Sequence, residues 1–389
     1  MATAVSVDTG GNLYVAGQVE GAFGGNTALG GFDAYLLKNA SNGTRLWSRQ
    51  FGTPVFDTAQ GVAVDPSGHV YIAGSTQYDP NSPTLMGGGA LLAKYDDQGN
   101  PLWLLRAGAA DGQTDATGVA TDAGGNAYVA GYTWGRLDGY SNAGRTDAFV
   151  GKLDADGNDL WAAQLGTAEH DSAAGVAVDA LGNVYVTGST GAGLDGNASA
   201  GGVDAFIVKF DGNGNKLWSR QFGTGSDDRA YGLSVDGAGD LIVAGYTDGD
   251  LGGAGNAGST DLFVAKYDGD GNRLWIHQMG TQAWDGARGV AVDADGNIYV
   301  TGSTFGGLDG NTNGNGTWGS WDLFLIKFDG LGNRQWTRQT DGAGNENGLG
   351  VATDGAGNIY AVGANSTSQT QMTPLIVKYD SAGNKLWTR

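Results

Sequence analysis

Seven tryptophans at near-constant spacing, four short apolar runs in each interval and no sustained 3.6-residue apolar period predict an all-β chain. The architecture they predict is a seven-bladed β-propeller with four antiparallel strands per blade. The tryptophans are Trp47, Trp103, Trp161, Trp218, Trp275, Trp336 and Trp387, separated by 56, 58, 57, 57, 61 and 51 residues. Self-similarity at this period marks one repeated unit that buries its apolar faces against its neighbours, so the expected organisation is a single domain over 1–389. Its blades run from about 1–53, 54–109, 110–167, 168–224, 225–281, 282–340 and 341–389.

Each element of a unit follows from its residues. In the fifth unit the runs are Gly232–Val235, Leu241–Ala244, Leu262–Ala265 and Leu274–Ile276. They are rich in β-branched and aromatic residues and bounded by Gly, Asp and Asn. The first and second runs are joined by an Asp, two residues, Gly and usually Asn, as in Asp179–Asn183 and Asp293–Asn297. The third and fourth are joined in the same way, as in Asp154–Asn158 and Asp268–Asn272. Glycine supplies the positive φ of a tight hairpin, and the leading carboxylate accepts hydrogen bonds from the turn's own amides. The second-to-third connections are longer and vary from 10 to 20 residues, so the variable loops gather opposite the tight turns. A leucine precedes the repeated tryptophan in six of seven units, and the tryptophan is expected to pack between blades.

Composition excludes several classes. The net charge is 21 − 41 = −20, which repels phosphate backbones and anionic membrane surfaces. Nucleic acid is therefore not the expected partner; cations, neutral glycans or basic proteins are. Without cysteine there is no disulfide or thiolate site. No apolar run is long enough for a membrane-spanning helix and Met1 does not open a signal-peptide pattern, so no membrane insertion is expected. There is no Ser/His/Asp arrangement, phosphate-cradling loop or zinc-ligand helix motif.

Val176–Thr224 carries Val-Ala-Val-Asp, Gly-Asn-Val-Tyr-Val-Thr-Gly-Ser-Thr, Asp-Ala-Phe-Ile-Val-Lys-Phe-Asp and Leu-Trp-Ser-Arg-Gln-Phe-Gly-Thr. This pattern closely resembles the bacterial seven-bladed β-propeller repeat, the SBBP family, and the match recurs in every unit. The resemblance implies a secreted or cell-surface setting, often within a larger protein or assembly, and implies no reaction. The Asp…Gly…Trp ending also resembles the tryptophan-docking motif of quinoprotein propellers, over the hairpin alone.

Four constellations are candidates for function. The first is acidic: Asp57, Asp115, Asp171, Asp228, Asp285 and Glu346 stand just before the first strand of their units. Each lies seven or eight residues ahead of the aspartate that ends that strand. Asp33, Asp147, Asp204, Asp261 and Asp322 open third strands. Hard carboxylate oxygens suit Ca²⁺; the simpler role is hydrogen bonding within each blade, with Thr133, Thr190, Thr247 or Thr304 as donors. The second is the set of Asp-x-Asp-Gly-Asn turns (Asp154/Asp156, Asp268/Asp270, Asp293/Asp295), for which turn chemistry is the expected role. The third is Glu169-His170-Asp171, a single histidine beside two carboxylates. The fourth is aromatic: Trp318 and Trp321 in the sixth unit, Trp134 and Tyr140 in the third and Tyr78 in the second, suited to stacking on a sugar ring or gripping a protein.

The reading that follows is a non-enzymatic, extracellular or cell-surface binding or scaffold module. Its variable loop face is expected to bind a glycan or a protein, with Ca²⁺ stabilising it. The alternatives are a structural subunit of an extracellular assembly and a propeller enzyme, quinone-dependent or polysaccharide-active.

Overall fold

In the computed structural model the chain folds as a seven-bladed β-propeller with four antiparallel strands per blade. The structure describes residues 1–77, 88–109, 111–137, 139–253, 255–311, 320–340, 342, 344–368 and 371–389. In every blade the strands neighbour one another in sequence order, as in Asp57–Val64, Val70–Thr76, Gly89–Tyr95 and Pro101–Ala107 of blade 2. Among the described residues the only helical pieces are single 3₁₀ turns at Leu194–Gly196 and Leu308–Gly310. None of the described helices is long and apolar enough to cross a membrane.

Two compact units can be distinguished. The first comprises Thr3–Ala198 and Phe206–Ser219; the second comprises Met1–Ala2, Ser199–Ala205 and Arg220–Arg389. Within the first, Tyr14, Leu36, Ile72 and Leu91 join one core cluster, Tyr71, Leu92, Val129 and Phe149 the next, and Tyr128, Val150, Val186 and Phe206 a third. Within the second, Ile242, Val264, Ile298 and Phe324 form one cluster and Tyr299, Leu325, Ile359 and Val377 another. Each cluster draws on two successive blades, so second and third strands are covered on both faces. That is why they read as continuous apolar runs rather than as alternating ones.

In blades 1, 2, 3 and 6 the repeated tryptophan docks onto the last turn of the following blade. Trp47 Nε1 and Lys38 Nζ both donate to the Asp97 carbonyl, at 3.1 and 3.0 Å. Trp103 and Lys94 do the same at Ala155, and Trp161 and Lys152 at Gly212. In the second unit Trp336 and Lys327 share the Ser381 carbonyl. The ring lies on the turn glycine. Gly99 has φ +76°, and a Cβ there would stand 3.0 Å from the Trp47 ring; only glycine meets both demands. Burying an aromatic side chain in this way stabilises by roughly 1.5–3 kcal/mol.

The turn aspartates are hydrogen-bond acceptors. Asp154 Oδ1 takes the amides of Asp156 and Asn158 at 2.9 and 2.8 Å, and Oδ2 takes Asn158 Nδ2 at 2.9 Å. The second aspartate of these turns is exposed or half-exposed, as at Asp156, Asp270 and Asp295.

A β-bulge interrupts the pairing of first and second strands in blades 2 to 7. The extra residue is Gln60, Thr117, Ala174, Tyr231, Arg288 and Leu349 in turn. A bulge re-aims one side chain without breaking the sheet. Here it leaves one position per blade free to vary.

Candidate functional site

The bulge of blade 2 helps to shape a cavity of about 410 Å³ within the first unit. Gln60 occupies the bulge itself. Thr58 and Ser75 form a cross-strand pair on the floor, their hydroxyls 2.9 Å apart. Gln18, Gln77 and Gln113 add further amides, and Asp115 and Tyr132 stand opposite one another in the register of blade 3. Two aromatic pairs complete the walls. Phe32 and Phe56 stack with centroids 5.6 Å apart, and Trp134 meets Tyr132 edge-on at 5.2 Å. Phe56 is 45% exposed and Trp134 47% exposed, so both rings offer a face to solvent.

Backbone bonds fix these walls: the Gln77 amide donates to the Phe56 carbonyl and the Trp134 amide to the Gln113 carbonyl, both at 2.9 Å. Asn142 Nδ2 holds the Trp134 carbonyl at 2.8 Å. Gln113 Nε2 donates to both oxygens of Asp115, at 3.1 and 3.0 Å. Burial, reinforced by the Asp115 carboxylate, pushes the Tyr132 phenol up to about 12, so it is a neutral hydroxyl at neutral pH. The groove thus combines flat apolar faces with amides and hydroxyls that both donate and accept. This is the chemistry of a neutral, hydroxyl-rich ligand.

Four of the six first-strand acids sit in one repeated clasp. Asp57 Oδ2 accepts the Thr53 amide at 2.6 Å and its hydroxyl at 2.9 Å. Asp171 and Thr167, Asp228 and Thr224, and Asp285 and Thr281 repeat the pattern. Thr190 and Thr304 donate to the second oxygens of Asp171 and Asp285. Burial raises the pKa of Asp57, Asp171, Asp228 and Asp285, with the threonine donors opposing it. Glu346 holds the same register position in blade 7, its amide donating to the Trp321 carbonyl.

Asp115 departs from the set. In blade 3 it is Thr114 that faces Thr133, where Asp57 faces Thr76 and Asp228 faces Thr247. The Thr114 and Thr133 hydroxyls lie 3.0 Å apart and the Ala109 amide donates to Thr114 Oγ1. Asp115 stands one residue further along, and a one-residue step turns a strand side chain to the opposite face. It belongs to the groove, not to the acidic series. Among the described residues no group of three or more His, Asp or Glu side chains is gathered as a metal cluster.

The remaining candidates divide. Glu169, His170 and Asp171 point to separate partners: Glu169 to Arg145 at 3.6 Å, His170 Nδ1 to the Thr146 hydroxyl at 3.1 Å, and Asp171 into its clasp. Tyr140 is 41% exposed, but its hydroxyl donates to the Ala162 carbonyl at 2.6 Å and fastens its loop to the fourth strand. Trp321 packs on Phe305 at 3.7 Å and edge-on to Trp284 at 4.7 Å. Trp318 and Tyr78 lie outside the described residues. Of the expected ligand aromatics, the structure therefore places Trp134 in the groove. The glutamines and Phe56 were missed because a lone glutamine on a strand carries no motif. The available signal was the residue after the first-strand alanine (Gln60), which differs from unit to unit.

The fold and this groove define the class: a β-propeller whose repeated hairpins build the scaffold and whose bulge and loop residues vary. Residues 46–79, 102–138, 160–195, 217–252 and 274–309 match the family model described as the SBBP β-propeller repeat. The chain carries five repeats of the SBBP β-propeller repeat family. A protein named regulatory protein FlaEY, from Caulobacter vibrioides, is 27% identical over 411 residues, covering 91% of this chain and 42% of the relative. An uncharacterized WD repeat-containing protein of Acanthamoeba polyphaga mimivirus is 28% identical over 199 residues, covering 40% of this chain and 14% of that protein. The chain thus spans less than half the length of the curated relatives it matches. A solved structure of a puromycin hydrolase mutant complexed with PGG superposes with a TM-score of 0.54 at 14% identity. It covers 99% of this chain and 52% of that one, a likeness of fold alone.

Proposed function

We propose that the chain is a non-enzymatic binding module and that the groove of blades 1 to 3 holds a neutral glycan. The observation that carries this is the combination of two half-exposed rings, Phe56 and Trp134, with the glutamine amides that line the same groove. A sugar ring offers an apolar face for such rings and hydroxyls for such amides. The one carboxylate in the groove, Asp115, is already engaged by Gln113. A net charge of −20 further favours uncharged ligands over anionic polymers. An extracellular or cell-surface location, within a larger protein or assembly, accords with the family resemblance.

The test is a screen of neutral oligosaccharides by tryptophan fluorescence, followed by calorimetric titration of the tightest binder. Binding without turnover, weakened about tenfold or more in Trp134→Ala, is the expected result, since 1.4 kcal/mol of lost stacking is a factor of ten. Retention of no neutral sugar, or affinity unchanged in Trp134→Ala, rejects the reading. Consumption of a bound sugar favours the enzyme alternative instead.

A further inference from the structure

The clasped first-strand aspartates do not stand alone. Asp171, Asp228 and Asp285 each face the aspartate that opens the third strand of the preceding blade. Asp147 lies near enough to Asp171 for the two charges to repel, as do Asp204 and Asp228, and Asp261 and Asp285. The spacing is bounded at Gly223. The point where its Cβ would sit is 2.1 Å from Asp204 Oδ1 and 2.9 Å from Asp228 Oδ2, so these oxygens are at most 2.1 + 2.9 = 5.0 Å apart. At Gly280 the same sum for Asp261 and Asp285 is 2.2 + 3.1 = 5.3 Å.

The third-strand carboxylates are half satisfied. Their Oδ2 atoms accept a loop amide and a fourth-strand glutamine: Ala143 and Gln164 at Asp147, Ala200 and Gln221 at Asp204, Ala257 and Gln278 at Asp261. Their Oδ1 atoms have no hydrogen-bond partner, although the side chains are no more than 1% exposed. A buried carboxylate oxygen without a donor, beside a second carboxylate, is costly unless a positive charge meets it.

At the boundary of blades 2 and 3 the pattern breaks on both sides. Between blades 2 and 3 the third-strand position is Gly89 and the first-strand position Thr114. Arg106 replaces the glutamine and Ala109 the clasping threonine. If each aspartate served only its own blade, the two positions would change independently. They are lost together, as the two halves of one site.

We propose that these carboxylate pairs are cation sites, each holding one hard divalent ion such as Ca²⁺ between adjacent blades. Two Ca–O bonds of about 2.3–2.6 Å span up to about 5 Å, the same length as the upper bound on the separation of Asp204 Oδ1 and Asp228 Oδ2. The threonine hydroxyls on the first-strand carboxylates are further oxygen donors of the kind this ion takes. Asp33 and Asp57 hold the same two positions at the first boundary. The inference is independent of what occupies the groove.

The test measures bound metal by mass spectrometry after dialysis from Ca²⁺, together with thermal unfolding in EDTA and in millimolar Ca²⁺. Retained calcium and a midpoint several degrees higher in Ca²⁺ are expected. Asp204→Asn and Asp261→Asn should each lose about one equivalent, whereas Asp115→Asn should lose none. A metal-free protein with the same midpoint in both buffers overturns the proposal. So does retained calcium that Asp115→Asn releases, or that both pair variants keep. If a pair variant does not fold, wild type and Asp115→Asn still decide.

Discussion

The groove around Gln60 has a counterpart in the second unit, built on the same backbone positions and filled in a different way. Register and backbone bonds equate Thr58 and Ser75 with Arg229 and Tyr246, Phe56 and Gln77 with Asp227 and Asp248, and the bulge residue Gln60 with Tyr231. On the following blade, Gln113, Asp115 and Trp134 correspond to Trp284, Gly286 and Phe305. In the first unit these positions hold amides and a carboxylate around open space. In the second, ring packs on ring: Tyr231 on Tyr246 at 5.8 Å, Tyr246 on Trp284 at 5.7 Å, and Trp284 on Trp321. The Trp284 ring lies over Gly286, so that a Cβ there would meet it at 2.3 Å. Arg288 covers Tyr231 at 4.0 Å, and Asp227 pairs with Arg229 at 3.1 Å. One set of positions makes a trough and the other a plug. The repeat fixes the scaffold, and the bulge, its neighbours and the loops decide which.

The comparison breaks most visibly at Trp321. Removing its ring from between Phe305 and Trp284 leaves a cavity in the plug, and Trp321→Ala should lower unfolding free energy by about 3 kcal/mol, the low end for a truncated aromatic because the ring is only half-buried. Denaturant unfolding reads the loss. Sugar affinity at the groove should stay within twofold of wild type, because no groove residue is touched; a matching loss of affinity would undo the division of roles.

Importing the plug into the trough sharpens the contrast. Gln60→Tyr places at the blade 2 bulge the residue found at the blade 5 bulge. The phenol should occupy part of the 410 Å³ and weaken sugar binding about tenfold, with stability changed by less than about 1 kcal/mol. Undiminished affinity in a titration would show that the ligand does not enter past the bulge.

What could be read from the sequence follows the same line. The seven tryptophans, the Asp…Gly…Asn turns and the four-strand units are repeated because each blade needs them, and repetition made them legible. Asp115 was misplaced although the signal was present. It lies seven residues ahead of Asp122, where Asp57 lies eight ahead of Asp65 and Asp228 eight ahead of Asp236. On a strand that single residue changes the face. The groove itself was only partly legible. Trp134 stood out as an exposed aromatic, whereas Gln60, Gln77 and Gln113 come together only through the bulge and the pairing of adjacent blades. The carboxylate pairs were visible as two separate series; their facing geometry was not.

The two kinds of aspartate should also respond to pH with opposite sign, a smaller effect that separates turn from clasp. In Asp179, burial raises the pKa, but the bonds from the Asn183 side chain and amide, the Tyr185 hydroxyl and the Leu181 amide outweigh it, and the net shift is downward. A depressed carboxylate contributes stability that is present above its unfolded pKa of about 3.9 and is lost as pH falls through the folded value. Asp171 is raised by burial against the donors Thr190 and Thr167. Its contribution is fullest below the unfolded pKa and is lost as pH rises through the folded value. In EDTA, where no cation intervenes, Asp179→Asn should therefore cost about 0.5–1 kcal/mol at pH 7, the figure being reduced by solvent screening. That cost should shrink below about pH 3.9. The cost of Asp171→Asn should instead grow as pH falls from 7 toward 4. Urea unfolding of the two variants and wild type across that range gives the slopes. Parallel slopes would mean that the clasp and the turn hold their carboxylates in the same charge state, and the distinction between them would fail.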